Sequence, residues 1–128
     1  VGRIVFTVKG PPDGLRVAPT ADQEVDNHVE LYTANADATN LQKDNGAIVA
    51  GGAVANTSFE WSPDGTRLAY LADQDTLNVN ELYTAAPDGS DNQKVNGALV
   101  AGGRVQCWAW SPEGSRLAYL ARQDVSNT

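Results

Sequence analysis

Apolar positions along the chain fall in short runs, none longer than about half a dozen residues, and nearly every run is closed by Pro, Gly, Asn or Asp. Within the runs the spacing is two. Phe59 and Trp61 share a face in Ser58–Trp61, as do Trp108 and Trp110 in Gln106–Trp110. In Arg67–Ala72 (RLAYLA), Leu68 and Tyr70 take one face and Ala69 and Leu71 the other. Both faces are apolar, which predicts a strand buried between two neighbouring sheets. Glu81–Ala85 (ELYTA) reads the same way, with Leu82 and Tyr83 on opposite faces. Ser62-Pro63-Asp64-Gly65, Ser111-Pro112-Glu113-Gly114 and Ala86-Pro87-Asp88-Gly89 predict tight turns, Pro fixing φ and Gly supplying a positive φ. No stretch holds a helical period of useful length.

These runs recur. Ala21–Gly52 returns as Ala72–Gly103, about 51 residues on, and Trp61–Asn78 returns from Trp110, about 49 residues on. One unit therefore holds four short strands, here A, B, C and D, in about 50 residues, the arithmetic of a β-propeller blade. The expected fold is all-β, built from four-stranded antiparallel blades, about two of them with partial strands besides. A repeating sandwich is the all-β alternative, but sandwiches do not repeat their sequence this closely. Arg3–Phe6 (RIVF) reads as another copy of RLAY, which places strands B, C and D in residues 1–52, a full blade in 54–103 and trailing strands A and B in 104–122. On that reading Lys9–Thr20 is an insertion in a B–C connection.

Composition narrows the chemistry. The 128 residues are 41% hydrophobic and 20% charged, ordinary for a globular domain, with a net charge of −7 that opposes binding to a phosphate backbone. One Cys (Cys107) and one His (His28) exclude disulfide scaffolds and Cys/His zinc patterns. The absence of Met, even at Val1, fits a processed chain or a piece of a longer one. Cys107 reads as a small buried hydrophobe on an innermost strand, too far along the chain from His28 for a thiol–base pair to suggest itself. No G-x-S-x-G nucleophile elbow is present. Asp22, Glu24 and Asp26, and Asp73 and Asp75, form acidic clusters; solvated rim loops are expected, with no metal and no cofactor, because the Gly of a calcium loop is lacking, and Ca²⁺ held by the alternating oxygens of the first cluster is the alternative. Asp37, Asp64 and Asp88 are expected to accept hydrogen bonds from their own turns, and Arg3, Arg67 and Arg116 to serve the blade, pairing with turn carboxylates.

The strings WSPDGTRLAYLA (61–72), NELYTAAPDGS (80–90) and WSPEGSRLAYLA (110–121) resemble TolB-like β-propeller repeats, relatives of the WD-type repeats. The likeness covers the chain apart from Lys9–Thr20. It departs at Ala38, where the later copy has Gly89, so a different turn is expected there. Such repeats occur in bacterial periplasmic proteins, in large secreted or surface proteins, and in propellers that precede serine-peptidase domains. The resemblance implies a non-enzymatic binding or scaffolding role and a periplasmic or extracellular address. The alternatives are the propeller of a larger peptidase or hydrolase and a carbohydrate-binding propeller.

Too few blades are present to close a ring, since rings use about four to eight. An unflanked blade leaves apolar surface wet, so the chain is expected to be an excised piece, to close a ring by self-association (three chains giving about six blades), or to form a swapped dimer. The stiff segment Pro11, Pro12, Asp13, Gly14, Leu15 and Arg16, which interrupts the repeat, is the candidate recognition loop for an unidentified protein partner.

Overall fold

The computed structural model describes residues 4–9, 16–21, 29–35 and 37–123, the side chains of 4–9, 16–21, 56 and 57 excepted. Ten strands follow in order: β1 (Ile4–Lys9), β2 (Arg16–Ala21), β3 (Glu30–Asn35), β4 (Gln42–Lys43), β5 (Val54–Trp61), β6 (Leu68–Ala72), β7 (Glu81–Ala85), β8 (Gln93–Lys94), β9 (Val105–Trp110) and β10 (Leu117–Ala121). They form three antiparallel sheets, β1-β2-β3-β4, β5-β6-β7-β8 and β9-β10, each meandering in chain order. These are blades, two with four strands and a third with two, in an arc that the described residues do not close. No helix among them is long and apolar enough to cross a membrane.

The leading blade corrects the sequence reading. It has four strands rather than B, C and D alone: β1 takes the A position and β2 stands between it and β3. Pro12–Ala21 (PDGLRVAPTA) is itself a copy of Pro63–Ala72 (PDGTRLAYLA), at the offset that relates the two ELYTA segments. The copy is hard to see because Pro19 and Thr20 stand where Tyr70 and Leu71 stand. The segment from Arg16 is therefore a strand, and the link from β1 to β2 is an A–B connection.

Alternation along the middle blade builds the core. Leu68, Tyr70 and Ala72 of β6, with Phe59, Trp61 and Tyr83, pack toward the first blade and meet Leu31 and Ile48. Ala69 and Leu71 of β6, with Leu82, pack toward the third sheet and meet Val105, Trp108, Trp110, Leu117 and Tyr119. All five residues of β6 and all five of β7 are buried, as a strand with two apolar faces requires. Full burial of each such Leu contributes roughly 1.5–3 kcal/mol. In register Tyr70 faces Tyr83, and their rings stack with centroids 5.5 Å apart and planes 20° apart.

Candidate protein-interaction surface

Recurring polar residues hold neighbouring blades to one another. The Tyr70 hydroxyl donates to Gln74 Oε1 at 2.7 Å, and the same Gln oxygen accepts the Gly46 amide of the preceding blade at 3.0 Å. Asn92 Nδ2 reaches the Tyr70 hydroxyl at 2.6 Å and the Asp44 carbonyl at 3.2 Å. One unit later the arrangement repeats: Tyr119 donates to Gln123 Oε1 at 2.8 Å, which accepts the Gly97 amide at 2.5 Å. Burial pushes the Tyr70 phenol up to about 12, against the favourable bond from Asn92, so the hydroxyl stays a donor. Gly46 sits so close to Gln74 that a Cβ there would lie 2.7 Å from its amide nitrogen.

Within each blade a second recurring set anchors strand C. Asn45 Oδ1 accepts the Leu31 amide and Asn96 Oδ1 accepts the Leu82 amide, both at 2.7 Å. Glu30 and Glu81, each buried at the head of its strand, pair with Lys43 at 3.2 Å and Lys94 at 3.0 Å. Lys94 also reaches Asp75 at 2.9 Å, and that bond, reinforced by Glu81, holds the ammonium above its ordinary value. Burying a carboxylate is costly unless it is paired or hydrogen-bonded. These residues were not singled out from the sequence. Their signal was there: Glu-Leu-Tyr, Gln-Lys and Asn-Gly recur at one common offset.

The tight turns are hydrogen-bonded units on one rim. In Ser62-Pro63-Asp64-Gly65, Asp64 Oδ1 accepts from the Ser62 hydroxyl (2.6 Å), the Thr66 hydroxyl (2.7 Å) and the Thr66 amide (3.1 Å), while Ser62 Oγ accepts the Arg67 amide (3.0 Å). Those bonds, the one from Ser62 first, hold the exposed Asp64 carboxyl down at about 2. In Ser111-Pro112-Glu113-Gly114, Glu113 Oε1 accepts the Ser115 hydroxyl (2.7 Å), and Ser111 Oγ accepts the Arg116 amide (3.0 Å). Gly65 and Gly114 take the positive φ that the turn requires. Asp37 and Asp88 accept the Thr39 and Ser90 amides in the same manner. Arg67 leaves its turn to cross the sheet, donating to Asp91 Oδ2, the Asp91 carbonyl and Thr84 Oγ1, each at 2.9 Å.

Two expectations need correction here. Ala38 does not make a different turn. It adopts φ 69, close to the φ 79 of Gly89, and its amide donates to the Asn35 carbonyl as that of Gly89 donates to the Ala86 carbonyl. The surrounding bonds force the alanine into the left-handed region. Cys107 is exposed rather than buried. It faces Leu120 across the β9–β10 ladder, and no described strand covers that side.

The candidate recognition residues Pro11, Pro12, Asp13, Gly14 and Leu15 lie outside the described residues, as do Asp22, Glu24, Asp26 and His28; Arg16 opens β2. Asp73 and Asp75 are engaged within the protein: Asp73 accepts the Ala53 and Asn78 amides, and Asp75 holds Lys94. Among the described residues no group of three or more His, Cys, Asp or Glu is placed to hold a metal ion. A shallow hollow of about 280 Å³ lies between the C–D turns of the two full blades, beside Asn40, Gln42 and Pro87.

What stands open is the third sheet. Ala109 and Cys107 of β9, with Ala118 and Leu120 of β10, form an outward face, and Leu120 is 61% exposed. The far edge of β10 is unpaired among the described strands. A strand edge of this kind is a template for another strand.

No family profile and no curated protein matches the chain. Among solved structures the chain is similar to one from Agrobacterium tumefaciens assigned as TolB, with a TM-score of 0.63 and 16% identity over 92% of this chain. The chain spans 39% of the length of that structure. At this identity the likeness concerns the fold, and it agrees with the blade order: the architecture is TolB-like.

Proposed function

We propose that the chain is a non-enzymatic binding and scaffolding module whose blades self-associate to complete a propeller, acting in the periplasm or outside the cell. The observation that carries this reading is the third sheet, with its outward apolar face and a β10 edge that pairs with no described strand. The neighbouring polar groups support it from the other side. The recurring Asp, Glu, Gln and Tyr side chains named above are engaged in turns and blade contacts, the roles of a scaffold rather than of acid–base chemistry. The TolB-like architecture and the resemblance of the repeats to envelope and secreted proteins support this address and this interaction role. The net charge of −7 favours a protein partner over nucleic acid.

Light scattering behind size exclusion, run at several micromolar concentrations, tests the self-association. A mass above that of one chain, rising with concentration, is expected. A single species of monomer mass throughout overturns it.

A further inference from the structure

The ELYTA strand is present twice, as β3 and β7, and the LAYLA strand twice, as β6 and β10. In the middle blade the two pair in full register: Leu68↔Ala85, Ala69↔Thr84, Tyr70↔Tyr83, Leu71↔Leu82 and Ala72↔Glu81. In the first blade β3 pairs instead with β2, and that ladder is broken. It runs through Arg16↔Asn35 and Val17↔Ala34 and resumes only at Thr20↔Leu31 and Ala21↔Glu30. The gap falls at Ala18 and Pro19, and a proline has no amide hydrogen to give a ladder. On the other side of β2 the pairing with β1 shifts register, as the β5–β6 and β9–β10 pairings also do, so the interruption at Ala18 and Pro19 is what sets β2 apart. So β3 is matched with a partner whose ladder is interrupted, while the outer edge of β10, identical in sequence to the partner that β7 has, pairs with no described strand.

We propose that the occupant of the β10 edge is β3 of a second copy of this chain: the β9–β10 pair of one copy replaces β1–β2 as the A and B strands beside β3 and β4 of the next. The register is the one that β6 keeps with β7, which sets Leu117 against Ala34, Ala118 against Thr33, Tyr119 against Tyr32, Leu120 against Leu31 and Ala121 against Glu30. The exchange leaves the rest in place. Strand β3 keeps its own link to the middle blade, where the Val54 amide donates to the Val29 carbonyl at 2.8 Å and Leu31 packs with Phe59, Leu68 and Tyr83. Leu120 is then set against Leu31, a residue of the core between the first and middle blades. Arg116 also gains a partner strand. At its matched position Arg67 donates to Thr84, and Thr33 is the residue that corresponds to Thr84.

This inference rests on the self-association proposed above, and its test separates the two. In a Cys107→Ser background, one chain carries Ala118→Cys and another Thr33→Cys; a second set carries Ala121→Cys and Glu30→Cys. The two positions differ by an odd number of residues, so one set falls on the closer, non-hydrogen-bonded spacing of an antiparallel ladder, about 4.5 Å between Cα atoms. The chains are mixed, unfolded, refolded together and oxidised. A disulfide-linked heterodimer in at least one set, with none when Thr33→Cys is mixed with Arg122→Cys, is the expected result. An oligomer by mass that forms no such link overturns this pairing and leaves self-association standing; a monomer by mass overturns both. Pro19→Tyr gives a second reading that does not depend on disulfide geometry. Restoring the repeat residue to β2 strengthens the competitor for β3 and is expected to weaken association by about tenfold; unchanged or tighter association counts against the exchange.

Discussion

The strands β6 and β10 carry the same five residues, Leu-Ala-Tyr-Leu-Ala, and lie in opposite surroundings. Every residue of β6 is buried, whereas β10 alternates between half-buried and exposed. Leu71 is 7% exposed and its counterpart Leu120 is 61% exposed. Local sequence cannot be the cause, because it is the same. A blade presents two apolar faces, and each is dry only when another sheet leans on it: β6 has the first blade on one side and β9–β10 on the other, while β10 has a neighbour on one side only. Burial here is a property of the stack.

The matched leucines give the largest test. Leu71→Ala opens a cavity between two sheets and is expected to cost about 2–5 kcal/mol in denaturant unfolding. Leu120→Ala, measured at concentrations where the chain is dissociated, is expected to stay within about 0.5 kcal/mol. Equal costs would break the comparison, since they would mean that Leu120 is covered in the single chain. A cost at Leu120 that grows with protein concentration would sharpen it, locating the cover in another copy.

A second matched pair separates backbone from packing. The C–D turns at Ala38 and Gly89 have the same hydrogen bonds and nearly the same φ. Only one has the residue that tolerates a positive φ without cost. Ala38→Gly is therefore expected to stabilise the chain by about 1 kcal/mol, read as a shift in the urea midpoint at unchanged slope. The reverse change is not its mirror image. A Cβ at Gly89 would run into the Lys43 carbonyl of the first blade, so Gly89→Ala adds a clash between blades to the strain of its φ. Stabilisation absent at Ala38 would indicate that the first turn relaxes in solution.

The blade architecture was legible because its signals are local and repeated: period-two strands, Pro-Asp-Gly turns and a unit of constant length. The first blade was misread at one strand because substitutions at Pro19 and Thr20 removed the Tyr-Leu pair that marks the B strand elsewhere. Cys107 was misread because the expectation of burial assumed a next blade, and burial is set by neighbours that a strand's own residues do not encode. Residues such as Gln74, Asn96 and Glu81 act across blades or between strands, and their roles appear only once the strands are placed, although their recurrence marked them. Pro12–Leu15, within the candidate recognition loop, match Pro63–Thr66 of the next unit, and Pro11–Leu15 lie outside the described residues.

The smallest expected effect concerns the A–B turns of the second and third sheets, where Asp64 and Thr66 of one stand as Glu113 and Ser115 in the other. Three donors converge on the Asp64 carboxylate and hold it at about 2. Glu113 is also held below its ordinary range, through the Ser115 hydroxyl first, without a bond of the Thr66-amide kind from the residue two positions on. For both groups the folded value lies below the unfolded one, so the stability each adds is present above the ordinary carboxylate range and is lost as pH falls through the folded value. For Asp64 the window runs from the ordinary value of 3.8 down to about 2. Both side chains are exposed, so solvent screens the effect and keeps it small. The direct measurement is carboxyl titration by nuclear magnetic resonance, with Asp64 titrating near 2 and Glu113 titrating below the ordinary glutamate value of 4.5. In unfolding, Asp64→Asn is expected to be less stable than the parent at neutral pH and to converge with it as the pH falls through that window. An Asp64 that titrates at its ordinary value would mean that its three donors turn to water in solution, and the two turns would then differ in sequence but not in strength.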